Sequence, residues 1–229
     1  MDKLVVGHFS DNHGQVPYRD LNIELPDVWV CSGDFFPNST RGVADREVAF
    51  QRSWYRNKAN SLYWWSFKGN VSPAQRFMEF FGGVPVLVVH GNHDFANLVD
   101  LLQEDCYPAF EVPETGMDYE GLRWAGARHI PWIAGEWNGE LRANDISRVM
   151  SDVFDTDPDV LVTHVPPHGI LSNMYGCNAL ANCFAYRTHK IKTHMFGHVH
   201  EQGGQTTTIN GVLHSNAACN LNYVIIERP

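Results

Sequence analysis

A mixed α/β fold is predicted by two patterns that recur along the chain. Short apolar segments, four to seven residues long, repeatedly run into a turn built of Gly, Asp, Asn or His. Between several of them lie stretches whose apolar residues stand three to five apart, the spacing of a helix with one buried face. Composition agrees with a folded core: 44% of residues are apolar and 19% charged. The 229 residues suffice for one domain, and no linker, repeat or low-complexity stretch divides them. The expected organisation is a single domain over 1–229 with an unusual insert at about 41–76.

Taken in order, Lys3–Phe9 is a first strand ending in Ser10-Asp11-Asn12-His13-Gly14. Val28–Cys31 is a second, ending in Ser32-Gly33-Asp34-Phe35. Arg46–Ala59 has a helical pattern, Asn60–Asn70 reads as a loop, and Ser72-Pro73 starts a helix through Phe81. Val84–Val89 is apolar throughout, as in a strand covered on both faces, and runs into Gly91-Asn92-His93-Asp94. Ala96–Leu102 is a short helix. Ala109–Val112 and Leu122–Ala127 are strands placed on the solvent side of a second sheet, and Gly126–Gly139 is a Trp-rich loop. Leu141–Phe154 is helical until Asp157-Pro158 breaks it. Asp159–Thr163 is a strand delivering His164, and the diproline Pro166-Pro167 fixes the loop behind it. His168 falls at the rim of that loop. Asn178–Tyr186 is a helix, and Thr193–Phe196 a strand ending in Gly197-His198-Val199-His200. Gln205–Ile209 and Gly211–Ser215 flank Asn210-Gly211 as a hairpin, and Leu221–Ile226 is a last strand.

The insert stands apart in charge. From Arg41 to Arg76 the balance is +5, against −9 for the whole chain. It also carries Trp54, Tyr55, Tyr63, Trp64, Trp65 and Phe67. Basic residues among aromatics can grip a nucleotide by charge and stacking. An amphipathic helix whose aromatics join the core or a dimer contact explains the same pattern and is the preferred reading. An overall excess of negative charge argues against a general nucleic-acid coat. No apolar run approaches the length of a membrane span. The five cysteines form no CxxC pair, so neither a disulfide framework nor a thiolate zinc site is expected. The apolar run at the N-terminus is too short for a secretory signal, and a cytoplasmic location is the expectation.

Five strand ends carry metal-capable groups: Asp11 with His13, Asp34, Asn92 with His93, His164, and His198 with His200. Residues two apart on a locally extended backbone point the same way, so Asp11/His13 and His198/His200 can each aim two donors at one place. Carboxylate oxygen together with imidazole suits Mn, Fe or Zn. Each motif alone is commonplace. Five of them in one chain, each at the carboxyl end of an apolar strand where open sheets carry their chemistry, are not.

In this order, Asp11-Asn12-His13, Gly33-Asp34, Gly91-Asn92-His93-Asp94, His164 and Gly197-His198-Val199-His200 resemble the signature of the calcineurin-like metallophosphoesterases. The resemblance covers essentially the whole chain. It implies a sandwich of two mixed β-sheets flanked by helices, of the α+β type. It further implies two divalent metal ions, manganese first, with Fe, Zn, Ni or Mg as alternatives. Asp11, His13, Asp34 and His200 would hold one, and Asp34, Asn92, His164 and His198 the other, with Asp34 bridging. His93 would protonate the leaving oxygen or steady the phosphate charge, and Asp94 would orient or polarise His93. Two such metals activate a water and clamp the attacking and leaving oxygens.

Gly33-Asp34-Phe35-Phe36-Pro37 lacks the Asp and Arg that follow in protein phosphatases of this superfamily. Leu161–Pro167, Phe196–Glu201, Asn216–Leu221 and the loop containing Pro131-Trp132 instead resemble small single-domain phosphodiesterases of the MPPED type. Val165 stands where that subgroup usually has Gly, and the insert is a further departure. The function this implies is hydrolysis of a small phosphodiester, such as a cyclic nucleotide. The alternatives are a monoesterase, a nuclease gripping a strand with the insert, and a metal-bound scaffold with little turnover.

Overall fold

The computed structural model describes residues 2–20, 22–38, 44–57 and 71–228. The loop expected over Asn60–Asn70, with most of the insert's aromatics, lies outside the described residues.

Two sheets are built from the apolar segments. In the first, strands β1 (Lys3–Phe9), β2 (Val28–Cys31), β3 (Val86–Val88) and β4 (Ala109–Glu111) run parallel, and β13 (Leu221–Glu227) lies antiparallel beyond β1. The second has the order β11 (Gln205–Ile209), β12 (Val212–Asn216), β10 (Thr193–Phe196), β9 (Val160–Thr163), β6 (Leu122–Ala127) and β5 (Met117–Tyr119). Its four inner strands are parallel and its two edges antiparallel. A two-stranded ribbon, β7 (Ile130–Pro131) with β8 (Glu140–Leu141), closes the Trp-rich loop.

Period-two alternation assigns each strand's faces. Leu4, Val6, Val28, Val30, Leu87 and Val89 meet Trp124, Val160, Val162 and Met195 in the core between the sheets. The alternate residues Phe9, Trp29, Cys31, Val86 and Val88 face helices α1 (Ala44–Arg56), α2 (Pro73–Phe81) and α3 (Leu98–Glu104). On the other side, Ala125, Ala127 and Leu161 pack against α4 (Ala143–Asp155) and α5 (Asn178–Tyr186). Helices, sheet, sheet and helices thus form four layers, the expected sandwich of two mixed sheets.

Most elements fall where the sequence puts them. Helix α2 starts at Ser72, whose hydroxyl accepts the Gln75 N–H while the Gln75 side chain accepts the Ser72 N–H. Three differences have physical reasons. Strand β4 is the edge of the first sheet, pairing Val86 with Ala109, and β6 is an inner strand of the second rather than a solvent-side one. An apolar segment reveals its burial but not its partner. Strand β5, Met117-Asp118-Tyr119, has no apolar run, and its pairing with β6 defines it. The strand expected over Val84–Val89 shortens to β3, because Pro85 has no N–H to give a ladder.

The described part of the insert follows the core reading. Tyr55 is fully buried, and Trp54 packs edge-on against Phe36. Arg52 and Arg56 of α1 are paired with Glu104 and Asp105 at the end of α3, at 2.6 to 3.2 Å.

Several buried histidines lie outside the clusters of metal-capable donors. His8 sits between Ser215 and Ser32 at 2.9 Å from each hydroxyl. His194 contacts Thr163 Oγ1 at 2.9 Å and His214 Nδ1 at 3.3 Å. Burial lowers their pKa values, to about 3 for His8, to about 4 for His214 and well down for His194. The unfolded chain binds protons at these positions near pH 6.5 and the folded chain does not. The stability that these rings contribute is therefore full above about pH 6.5 and is lost as pH drops toward 4. Urea midpoints measured from pH 7 to 4.5 should fall steeply; a flat profile would show these rings to be accessible to protons in the folded state.

Candidate metal centre

The parallel strands β1, β2, β3, β9 and β10 all end on one side of the sandwich, and their loops are laced together there. Asp11 N–H donates to Gly33 O at 2.9 Å, His13 N–H to Asp34 O at 3.0 Å, and Gly197 N–H to His164 O at 3.0 Å. The crowding explains the glycines of the motifs. A Cβ on Gly91 would lie 2.2 Å from Asp34 Oδ1, and one on Gly197 2.1 Å from Asp11 Oδ2. The donors themselves take unusual backbones: Asp11, His13, Asp34 and His198 have φ of 54°, 44°, 55° and 69°. Left-handed backbone at non-glycine residues is costly and clusters at functional sites.

Asp11, His13, Asp34, Asn92, His93, His164, His198 and His200 come together here, and Asp94 and His168 do not join them. Three sets offer donor atoms within 4.8 Å of one another: Asp11, His13 and His200; His13, Asp34 and His93; Asp34, His164 and His198. Asp34 and His13 each belong to two of them, and of the two Asp34 is the carboxylate. Each carboxylate is split between scaffold and centre. Asp11 Oδ2 accepts from Ser10 Oγ at 2.6 Å and from the His198 N–H at 2.8 Å, leaving Oδ1 at 3.2 Å from His200 Nε2. Asp34 Oδ1 accepts the His93 N–H at 2.8 Å, while Oδ2 lies 3.3 Å from His164 Nε2.

The donor chemistry fits a cation. His164 Nδ1 must donate to Ser32 O, 2.9 Å away, because a carbonyl only accepts. In the neutral ring Nε2 is then a bare lone pair. It faces Asn92 Oδ1 at 3.0 Å, Asp34 Oδ2 at 3.3 Å and His198 Nδ1 at 3.2 Å. Acceptors turned on one another are satisfied by a positive charge among them, either a metal ion or a proton. In the chain alone the proton takes that part: burial alone would lower His164, but Asp34 beside it holds its pKa up at about 9. Burial would raise Asp34, and His164 drives it well below the usual carboxylate range instead. The hydrogen bond to Asp11 raises His200 to about 10, and burial pushes His198 down to about 4. Oxygen and imidazole donors of this kind suit Mn, Fe or Zn. Anchoring the second atom of each donor on backbone or a hydroxyl is how protein metal sites fix their ligands.

Accessibility divides the residues. Asp11, Asp34, Asn92 and His164 are buried. The side chains of His93 and His200 are 27% and 48% exposed and line the open face. His93 stands edge-on to His13, with centroids 4.8 Å apart, and its other face rests on Trp137 at 4.4 Å and 36°.

One expectation is corrected. Asp94 does not hold the His93 ring: its carboxylate accepts from the Gly91 N–H at 2.8 Å and the Phe36 N–H at 3.0 Å, and so braces the turn. Its burial raises its pKa. The group on His93 Nδ1 is the side-chain amide of Asn38, at 2.8 Å. His168 lies in a separate pocket on the far face of the second sheet, with Phe184, His189 and His214.

Asn38, Gln51, Trp137 and Asn138 escape a reading of the sequence. Trp137 belongs to a loop whose Ile133, Ala134, Gly135 and Trp137 N–H groups all donate to the Glu140 carboxylate. Asn138 then ties that loop to the Asn92 and Asp94 carbonyls. The Trp-rich composition of that loop is its one signal in the sequence.

Among the described residues, no helix is long and apolar enough to cross a membrane. Comparison with known proteins agrees with the geometry. The sequence profile of the calcineurin-like phosphoesterases matches residues 4–202. The human protein named metallophosphoesterase domain-containing protein 1 is 25% identical over 200 residues, covering 70% of this chain and 59% of that protein. This chain thus spans about three fifths of the length of that relative. A UPF0046 protein of Caenorhabditis elegans is 30% identical over 248 residues, covering 99% of this chain and 73% of the relative. Protein TT1561 of Thermus thermophilus superposes with a TM-score of 0.56 at 12% identity, over 97% of this chain and 99% of its own, a likeness of fold alone. The chain belongs to the calcineurin-like phosphoesterase family.

Proposed function

We propose that this chain hydrolyses phosphodiesters at a centre of two divalent cations, manganese being the first to test. The observation that supports the reading best is Asp34, a buried carboxylate shared by two donor sets. In this reading Asp11, His13, Asp34 and His200 would hold one ion and Asp34, Asn92, His164 and His198 the other, with Asp34 serving both. When bound, the ions supply a lowered pKa for water and positive charge for a phosphate. The chain supplies the rest. Ser10, Ser32 and the turn backbone keep the donors aimed at the centre. His93 stands on the exposed side, with Nε2 3.9 Å from Asp34 Oδ2, where its N–H can steady the charge on a phosphate or leaving oxygen. Trp137 limits the ring to one orientation.

A small diester, a cyclic nucleotide or similar, is favoured over a nucleic-acid strand. Arg52 and Arg56, two cations a strand-gripping insert would use, are paired within the chain. The test is turnover of bis-p-nitrophenyl phosphate against p-nitrophenyl phosphate in Mn²⁺. Diester turnover should exceed monoester turnover and stop on chelation. Monoester preference would make the chain a phosphatase, and no turnover of either would favour the scaffold.

A further inference from the structure

We propose that Asn38, itself fixed by Gln51, is a positioning residue that keeps the proton of the neutral His93 ring on Nε2, the nitrogen facing the metal centre. The proposal rests on the reading of His93 as the group that faces the substrate and steadies its charge, and adds what keeps a hydrogen on the nitrogen that does so.

Three backbone groups have roles that are not open to choice. The Phe95 and Ala96 N–H groups only donate, and both reach Gln51 Oε1, at 2.9 and 2.8 Å. The His93 carbonyl only accepts, and it lies 2.7 Å from Gln51 Nε2. The Gln51 amide therefore has a single orientation. Its Nε2 also donates toward Asn38, at 3.3 Å, so the Asn38 atom there is Oδ1. That turns Asn38 Nδ2 to His93, 2.8 Å from Nδ1. An amide nitrogen only donates, so Nδ1 accepts, and the ring hydrogen of the neutral imidazole sits on Nε2. Nε2 is the atom 3.9 Å from Asp34 Oδ2. Gln51 is fully buried, so water does not compete for these bonds.

The consequence is chemical. A neutral ring cannot give up its single N–H without leaving an imidazolate, but with that hydrogen on Nε2 it can donate a hydrogen bond to the charge growing on a phosphate or leaving oxygen. Many proteins set a histidine's tautomer with a carboxylate; here the adjacent carboxylate, Asp94, is spent on the turn. A neutral amide takes that part and adds no negative charge beside the two metal-facing aspartates.

The test uses Asn38→Leu, which keeps the size and removes the donor, and Gln51→Glu, which keeps the acceptor for Phe95 and Ala96 and removes the donor to Asn38. The first readout is the ¹⁵N spectrum of the His93 ring in the Zn²⁺-loaded chain, assigned by its loss in His93→Ala. Wild type should show Nδ1 bare and Nε2 protonated, and both variants a shift toward the opposite tautomer. The second readout is kinetic. Asn38→Leu should lower kcat, with KM little changed, at least tenfold more for a diester with an alkoxide leaving group than for bis-p-nitrophenyl phosphate, whose leaving group holds its charge more easily. In a His93→Ala background, Asn38→Leu should add nothing. A wild-type ring protonated on Nδ1, or a tautomer unmoved by Asn38→Leu, would overturn the proposal. The spectrum decides between the tautomers even if the chain turns over neither ester, a result that would count against the proposed activity instead.

Discussion

Asp34→Asn is expected to reduce bound metal from two equivalents to fewer than one, and turnover by more than about 10²-fold. The substitution keeps shape and changes only the donor. Asp34 Oδ1 is claimed by the His93 N–H, so the carbonyl of an asparagine would stay there. Its NH₂ would then point where Oδ2 now faces His164 Nε2, presenting hydrogens to the position of a cation. In the proposed arrangement both sites would lose a ligand together, since Asp34 has donor atoms near it on both sides, His13 with His93 in one set and His164 with His198 in another. Losing only an outer partner of a ligand costs about 10 to 100-fold in metal affinity or activity, so losing a shared ligand should cost more. The metal-free chain should also lose stability, because Asp34 is the charge that holds buried His164 protonated and removing one partner of a buried pair is costly. Wild type should gain melting temperature on adding Mn²⁺, because a cation that binds only the folded state stabilises it, and the variant should not. Two full equivalents in the variant would remove Asp34 from the bridge.

His93→Ala is the second large effect, and it separates holding metal from using it. The His93 N–H that supports Asp34 is backbone and survives the change. The variant should retain two metal equivalents and lose about 10² to 10³-fold in kcat on alkoxide diesters, the range that removing one donor to a developing oxyanion costs. That corresponds to about 2.7 to 4 kcal/mol of barrier. Folding should be little affected, because the ring is partly exposed. Loss of a metal equivalent would have another meaning. His93 also lies within donor distance of His13 and Asp34, and such a loss would make it a ligand rather than a donor to the substrate.

The centre was legible because its chemistry sits on the backbone in sequence order. An apolar strand followed by Gly33-Asp34, Gly91-Asn92 or Gly197-His198 states both the donor and the close approach that demands glycine. The helices at Pro73–Phe81 and Asn178–Tyr186 and the hairpin at Asn210-Gly211 were equally local. What could not be read depends on distance in the fold. Gln51 sits in α1, where a polar residue normally marks the solvent face; it is buried because α1 lies across the turn at 93–96. Asn38 follows a proline in a loop and meets His93 only once β2 and β3 are paired. Asp94 misled for the same reason: adjacency suggests a partner for His93, but the turn sends its carboxylate back to Gly91 and Phe36. Strand β4 joined the first sheet because pairing partners are chosen by tertiary packing, which an apolar run alone does not encode.

Whether Asp34 joins two ions is tested most simply by counting the divalent cations that the wild-type chain binds. Metal-free protein would be titrated with Mn²⁺ and the bound metal measured by elemental analysis after gel filtration. Two equivalents are predicted, both displaced by a chelator together with diesterase activity. One equivalent, or none, with the protein folded, would contradict a shared Asp34 and the two-metal chemistry built on it.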